Sequence, residues 1–390
     1  MPKSISLTTL ANSFIVLTLF ALFVPITLSR PVTSVQDNQI LFSGDCSRPV
    51  TGVPSISATD ADSDGITDNC EQTLAERFAP IVYHSSDESN FPTNVDWFLT
   101  KTELWLYTAQ KSRRLIVKPS QAQLLGLEES DGQVPPQNIK TSGTGSKGKR
   151  TTFFLKDVDD EFRIGSTDSK EWTTYYHAYP NDEGGITIQY WRFYAYNDAA
   201  NNHGGDWEGV HIILNSGLRP LKIALLGHTA IHWAPFSDAQ KEGEHAIIFS
   251  EGGGHGSRLS GDGIQAKGCG GLLGEVLCTI KLDKPATFVR QETWTNGSVQ
   301  WFNGKKGRTG LLLNVGEKSK SMNGQIFLQY SGIWGSPSEF PLSPTFYSFS
   351  GYWGPAFNET GRRDDGFVTA WCAGRFISTR DECFPESIAP

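Results

Sequence analysis

The chain has 390 residues, of which 38% are hydrophobic and 12% aromatic, and it carries 40 glycines. That is enough apolar material for an extensive core in a turn-rich fold, which excludes a disordered chain. Its formal net charge of −8 argues against nucleic acid, which selects basic faces, and gives no general attraction to anionic lipid.

Residues 1–29 read as a secretory signal peptide. Lys3 lies in the first segment, an apolar run passes through Ile15 to Val24, and the small residues Thr27 and Ser29 precede Arg30. A single N-terminal anchor is the rival for that run, and no later run is long enough to span a bilayer. The mature chain is therefore expected to be secreted, without a transmembrane segment. The six cysteines agree with export. Neighbouring cysteines close short loops at the least entropic cost, which favours Cys46–Cys70, Cys269–Cys278 and Cys372–Cys383.

Asp60-Ala61-Asp62-Ser63-Asp64-Gly65-Ile66-Thr67-Asp68-Asn69-Cys70-Glu71 is the sharpest motif. Alternating carboxylates at Asp60, Asp62 and Asp64, then Gly65 for a bend, the Ile66 carbonyl, Asp68 and Glu71 form the oxygen set of a Ca2+ loop. The stretch resembles an EF-hand loop and the acidic repeats of thrombospondin type 3; a solvated acidic turn is the alternative. Asn69–Arg77 has helical character and stops before Pro80. The loop is expected to lock a segment, residues 30–73, onto a domain spanning 74–390.

Beyond a short strand at Pro80–Tyr83, Asp87, Glu88 and Asp96 are expected to flank an exposed turn. Residues 130–151, rich in Gly, Ser and Lys, are expected to form a surface loop. Strand-like stretches then recur at 151–155, 172–178, 186–196, 209–214, 221–226, 245–249, 286–288, 310–314 and 325–330, separated by glycine and proline turns. This spacing predicts an all-β fold, a β-sandwich with long decorated loops and few short helices.

The chain is organised around residues 190–214, which read as strand, polar loop, strand. Val210, Ile212 and Leu214 alternate, and Asp206 and Glu208 extend the alternation, so both carboxylates point the way the core residues point. Two anions there need a cation or donors to offset their desolvation. With Asp198 and His203 they offer a carboxylate-rich set suited to Ca2+ or Mg2+; a polar turn whose side chains cap backbone groups is the alternative. His255, in Gly252-Gly253-Gly254-His255-Gly256-Ser257, is placed either near this site or on a plain turn. That glycine run lacks the Lys-Ser/Thr ending of a phosphate loop, and no G-x-S-x-G elbow supports a hydrolase serine. His177, His228, His232 and His245 read as satisfied strand histidines, Trp334 and Trp353 as core, and Asn296 and Asn358 as glycosylation acceptors.

His203-Gly204-Gly205-Asp206-Trp207-Glu208 resembles the HxGDWE segment of the vacuolar protein sorting-associated protein 62 family. Leu74–Tyr83, Phe91–Val95, His245–Ser257, Tyr330–Gly335 and Tyr352–Pro355 are similar to its other motifs, so the resemblance covers about 74–357. More distantly, the segment is similar to the heptapeptide of the necrosis- and ethylene-inducing (NLP-type) secreted toxins, a β-sandwich family that holds a divalent cation. That resemblance implies Asp198, His203, Asp206 and Glu208 as ligands here. The departures are Asn202, Gly204 and Gly205, where the toxins' Gly-His-Arg-His-Asp-Trp-Glu has Gly, Arg and a second His, together with a shorter loop after Asp198.

Three functions follow as expectations. One is a secreted, non-enzymatic effector that binds a lipid headgroup or a glycan at a cell surface. A second is a metal-assisted hydrolase in which Glu208 or His255 moves the proton. The third is a trafficking factor with a purely structural cation.

Overall fold

The computed structural model describes Cys46 and residues 59–108, 111–125, 151–157, 159–181, 183–198, 203–227, 230–261, 288–317 and 319–330, then 332, 334, 335, 337–339, 347–349 and 355. All of these lie in one compact unit, Ile40–Pro390. The leader, two of the expected cysteine pairs, most of the loop at 130–151, His228, Trp353 and Asn358 lie outside the described residues. Among the described residues, no helix is long and apolar enough to cross a membrane.

The fold is all-β, built on two seven-stranded sheets. In the first, Ile81–Ser85 runs between a parallel strand, His245–Ser250, and an antiparallel one, Phe288–Glu292. Two short strands, Ser298–Gln300 and Lys306–Arg308, continue that edge as a hairpin. The second, central sheet is built around the long hairpin of Ile186–Asn197 with His203–Leu214, which stays in register from Thr187 opposite Ile213 to Asn197 opposite His203.

Register decides which side chains meet. Ile188, Tyr190, Val210 and Ile212 face the first sheet and pack with its Ala246 and Ile248 and with Leu74 and Phe78 of the helix Asp68–Phe78. Trp191, Phe193 and Trp207 face the opposite way, into a second core with Phe98, Leu104, Phe153, Phe327 and Trp334. That outer layer comes from the helix Val95–Leu99 and a three-stranded sheet of Lys111–Val117, Thr102–Thr108 and Thr151–Asp157. With both faces covered, His203–Leu214 is buried at every residue. It is not the half-buried strand that its alternation predicts.

The helix follows its sequence signals. Thr67 caps it, with Oγ1 accepting the Cys70 N–H at 3.4 Å, Asp68 and Glu71 occupy the first turn and Arg77 the last, and Pro80 lies just beyond the end. It spans 73/74, the boundary that the sequence suggests. Cys46 is disulfide-bonded to Cys70 in its first turn.

Two local expectations fail. Residues 325–330 form a 3-10 turn, Ile326–Gln329, instead of a strand. The turn drives Phe327 into the outer core, where its ring stacks 5.4 Å from Trp207, and its backbone N–H is taken by Gln121 Oε1 at 3.1 Å. His203, Gly204 and Gly205 belong to the strand, not to a polar loop. Gly205 has φ +62°, and a Cβ there would lie 1.8 Å from the Trp334 carbonyl oxygen; a Cβ on Gly335 would lie 2.1 Å from the Gly204 carbonyl oxygen. The histidine of the toxin heptapeptide therefore has no room at position 205.

Gly205→Ala combines left-handed strain with a backbone clash, and is expected to cost about 3 kcal/mol or more by urea unfolding. An unchanged midpoint would show that this contact is not tight. His211, on the outer face against Trp191, supplies a pH test. Burial first, and His177 second, lower its pKa to about 3, so folding favours the neutral ring. That stability is complete above the unfolded value near ~6.5 and drains away as pH falls toward 3. Between pH 6.5 and 4, His211→Leu should show a shallower loss than the parent chain, by up to ~1.4 kcal/mol per pH unit.

Candidate functional site

Asp206 and Glu208 both have no solvent exposure, and register sets them opposite Tyr194 and Arg192 on the face that meets the first sheet. Bare carboxylates in such a place are costly, so the neighbouring segments have to supply positive charge and donors. They do. His255 Nδ1 meets Asp206 Oδ2 at 2.9 Å, and Asn197 Nδ2 donates to the same oxygen at 3.3 Å. The other ring nitrogen of His255 lies 3.7 Å from Glu88 Oε1, so one imidazole bridges two buried carboxylates. Its ring also stacks on Tyr194, with centroids 3.8 Å apart and planes 7° from parallel.

Burial alone would strip the proton from His255, but Glu88 and Asp206 outweigh it and raise its pKa to about 9. Burial would push the Glu88 carboxyl up, and His255 holds it below its ordinary value. Glu88 also accepts the N–H groups of Ser89 and Asn90, each at 2.8 Å, and of Gly253 at 2.9 Å. It is a buried joint between two loops rather than part of an exposed turn; Asp87 and Asp96 are exposed as expected. Arg192, 3% exposed, donates from Nη2 to Ser257 Oγ at 3.1 Å.

The four ligands suggested for the central loop are placed less tightly. Asp198 is pinned by its backbone, donating to the Gly253 carbonyl at 2.8 Å. His203 is buried, with Nε2 4.0 Å from Asp206 Oδ1 and Nδ1 3.2 Å from the Gly204 carbonyl. Among the described residues, the convergent set of three or more potential ligands, with atoms within 4.8 Å of one another, is Asp60, Asp62 and Asp64. The structure brings Asp206 to His255 and Glu88 instead. Sequence reasoning missed Glu88 and Arg192. A signal for Arg192 existed, since two inward carboxylates on one strand call for a cation across the hairpin.

The N-terminal loop is wound tightly. Asp60 accepts from the N–H groups of Ser63 (2.7 Å), Asp64 (3.2 Å) and Gly65 (3.1 Å), and Asp64 accepts from Ile66 at 2.7 Å. Ser63 and Gly65 take positive φ to allow it. Asp68 turns back to accept from Ala61 at 2.8 Å, and Ile66 is fully buried. Glu71, with no exposure, takes one donor on Oε2, Asn314 Nδ2 at 2.9 Å, while its Oε1 meets none. Burial, then Asp64 and Asp62, raise its pKa to about 10, and burial above all raises that of Asp62 to about 6. Carboxylate oxygens on a tight loop suit a hard divalent cation.

His177 meets Gln189 and Glu317, each at 3.3 Å, and His245 Nδ1 lies 2.8 Å from the Ala79 carbonyl. Trp334 is core, as expected.

No family model matches the chain, and no curated protein matches it. Among solved structures it is similar to Necrosis and Ethylene inducing Protein 2 from the causal agent of cocoa's Witches Broom disease, at 14% identity and TM-score 0.27, over 53% of this chain and 76% of that one. It is also similar to NLPPya in complex with glucosamine, at 14% identity and TM-score 0.28, over 54% and 74%. A third match, described as a toxin fold for microbial attack and plant defense, has 14% identity and TM-score 0.28, over 56% and 76%.

His255→Leu leaves Asp206 and Glu88 facing each other without the imidazolium. It is expected to cost about 3–5 kcal/mol in urea unfolding, with much of that recovered when Asp206→Asn and Glu88→Gln are added. Loss without recovery would mean that His255 acts through packing on Tyr194 alone.

Proposed function

We propose that the chain is a secreted, divalent-cation-binding β-sandwich protein that works by binding, without catalysing a reaction, at a lipid headgroup or glycan of a cell surface. One observation carries the cation: Asp62 is buried and converges with Asp60 and Asp64, Glu71 is buried within electrostatic reach of Asp64 and Asp62, and neither Asp62 oxygen nor Glu71 Oε1 meets a donor. A carboxylate held like this is unfavourable unless it is protonated or metal-bound. Ca2+ suits the oxygen set best, because it accepts many ligands in flexible geometry. Asp60, Asp62, Asp64 and Glu71 would hold it, with the Ile66 carbonyl, and Asp68 would brace the loop through Ala61. Bound there, it would tie the disulfide-linked segment at Cys46 to the helix and, through Asn314, to the central sheet.

A second ion, Ca2+ or Mg2+, is proposed for Asp198, His203, Asp206 and Glu208. Binding is favoured over hydrolysis because Asp206, Glu208 and His255 are fully buried between the sheets, where a general base has no path to a substrate without the loops opening. A vacuolar sorting role, which the motif resemblance implies, is compatible with the same cation chemistry.

Calorimetric titration of metal-free protein with Ca2+ is the test. Two ions should bind. Asp62→Asn with Glu71→Gln should remove one, and Asp206→Asn the other. Saturation at a hundredfold excess over Kd should add about 2.7 kcal/mol of stability. No heat and no thermal shift in the parent chain would overturn the proposal.

A further inference from the structure

The chain's charge is not evenly spread. Residues 293–316 contain Lys305, Lys306 and Arg308 and no Asp or Glu, in a chain of net charge −8. This stretch carries the hairpin of Ser298–Gln300 with Lys306–Arg308. At its tip Phe302 is 61% exposed, the highest value for a large hydrophobic side chain among the described residues.

The tip is rigidly rooted. Trp301 N–H donates to the Lys305 carbonyl and Gly304 N–H to the Trp301 carbonyl, both at 2.9 Å, with Gly304 at φ +76° closing the turn. The half-buried Trp301 ring packs edge-on against Phe91 at 5.5 Å and against the buried Trp172 at 5.2 Å. One indole therefore holds the base while its neighbour Phe302 points to solvent.

Register fixes where the cations go. Gly307 faces the body of the protein, since a Cβ there would lie 2.6 Å from Ser169 Oγ. Lys306 and Arg308 therefore share the opposite, outward face, and both are exposed, as is Lys305. Among the described residues none of the three has an ion-pair partner. The carboxylates nearest in register are occupied: Glu292 accepts from Ser298 and Arg290. The adjoining turn Ser169–Glu171 sets Lys170 beside Asp168 and Glu171, so the local excess of positive charge belongs to the hairpin.

An exposed aromatic on a convex, rigid tip, flanked by flexible unpaired cations, matches a soft anionic surface better than a groove. A glycan platform instead needs a flat ring with polar neighbours. We infer that the hairpin Ser298–Arg308 docks on an anionic lipid bilayer, with Phe302 entering the headgroup layer and Lys305, Lys306 and Arg308 facing the lipid phosphates. This rests on reading the chain as a binding protein of cell surfaces, and it names the surface and the partner.

The test is co-sedimentation of the full secreted protein with vesicles of phosphatidylcholine alone and with 30% phosphatidylserine. Calcium-saturated and EGTA-treated samples are compared. Binding should require phosphatidylserine. Lys305→Gln with Lys306→Gln should weaken it about 30-fold and Phe302→Ala about tenfold, with no change in melting temperature, since all three side chains are exposed. Absence of binding to the anionic vesicles, equal binding by parent and hairpin variants, or complete displacement by millimolar inorganic phosphate would overturn the inference, the last by making this a soluble-anion site. Retention on a glycan array, lost in Phe302→Ala without any vesicle binding, would also overturn it. The cation proposal is read separately by calorimetry: a protein that binds Ca2+ but no vesicle fails only here, and one that binds vesicles through the hairpin without Ca2+ fails only there.

Discussion

Burying Asp206 and Glu208 inside the sandwich is the constraint on which the surrounding structure turns. A carboxylate removed from water costs several kcal/mol unless charge and donors follow it, so three separate segments converge on one strand. The hairpin partner sets Arg192 across from Glu208, and Asn197 reaches Asp206. The glycine-rich turn after His245–Ser250 delivers His255, itself at φ +59°, and the loop after Ile81–Ser85 delivers Glu88. Glu88 then draws in the Gly253 amide, fastening the loop and the turn to each other. The sandwich has a polar joint where an ordinary one has only packed hydrocarbon.

That joint works only if the strand carrying it is held firmly, and the other face of the same strand does this. Trp207 alternates with Asp206 and Glu208 and so points into the outer core, where Phe193, Phe327 and Trp334 surround it at centroid distances of 4.8, 5.4 and 5.4 Å. Trp334 can come so close because its backbone lies directly on Gly205, and that of the next residue, Gly335, on Gly204. The glycine pair in the motif is thus a packing device that joins residues far apart in sequence. The charged face and the aromatic face hold each other in register.

Much of this was legible in the sequence, and the reasons for the rest are physical. Period-two alternation gave the direction of Asp206 and Glu208 correctly, because side-chain direction in a strand is local. It could not give what lay across from them. His255 and Glu88 arrive from 49 and 118 residues away (255 − 206 and 206 − 88), and Glu88 sat in a stretch whose polarity read as an exposed turn. Burial of both faces was also invisible, since the outer layer is made by Thr102–Thr108, Lys111–Val117 and a 3-10 turn with no strong periodic signal. The winding of the acidic loop at 60–71 was the most legible feature, because its carboxylate spacing, its bend and the cap of its helix are all encoded within a few residues.

The two polar centres resolve the same problem in opposite ways. Between the sheets, His255 and Arg192 bring positive charge with the chain itself, so much of the charge balance comes with folding. At the N-terminal loop the chain supplies backbone amides and Asn314, yet Asp62 and Glu71 have no ion-pair partner among the described residues, and burial pushes both toward protonation. A site supplied with positive charge by its own side chains depends less on the medium, whereas one that lacks a positive charge is stable only where a cation is plentiful. The loop also tethers the disulfide-bonded Cys46 to Asn314, on the short strand Leu312–Asn314 that ends the central sheet. Under the cation reading, the closure of that sheet edge becomes conditional on the outside environment.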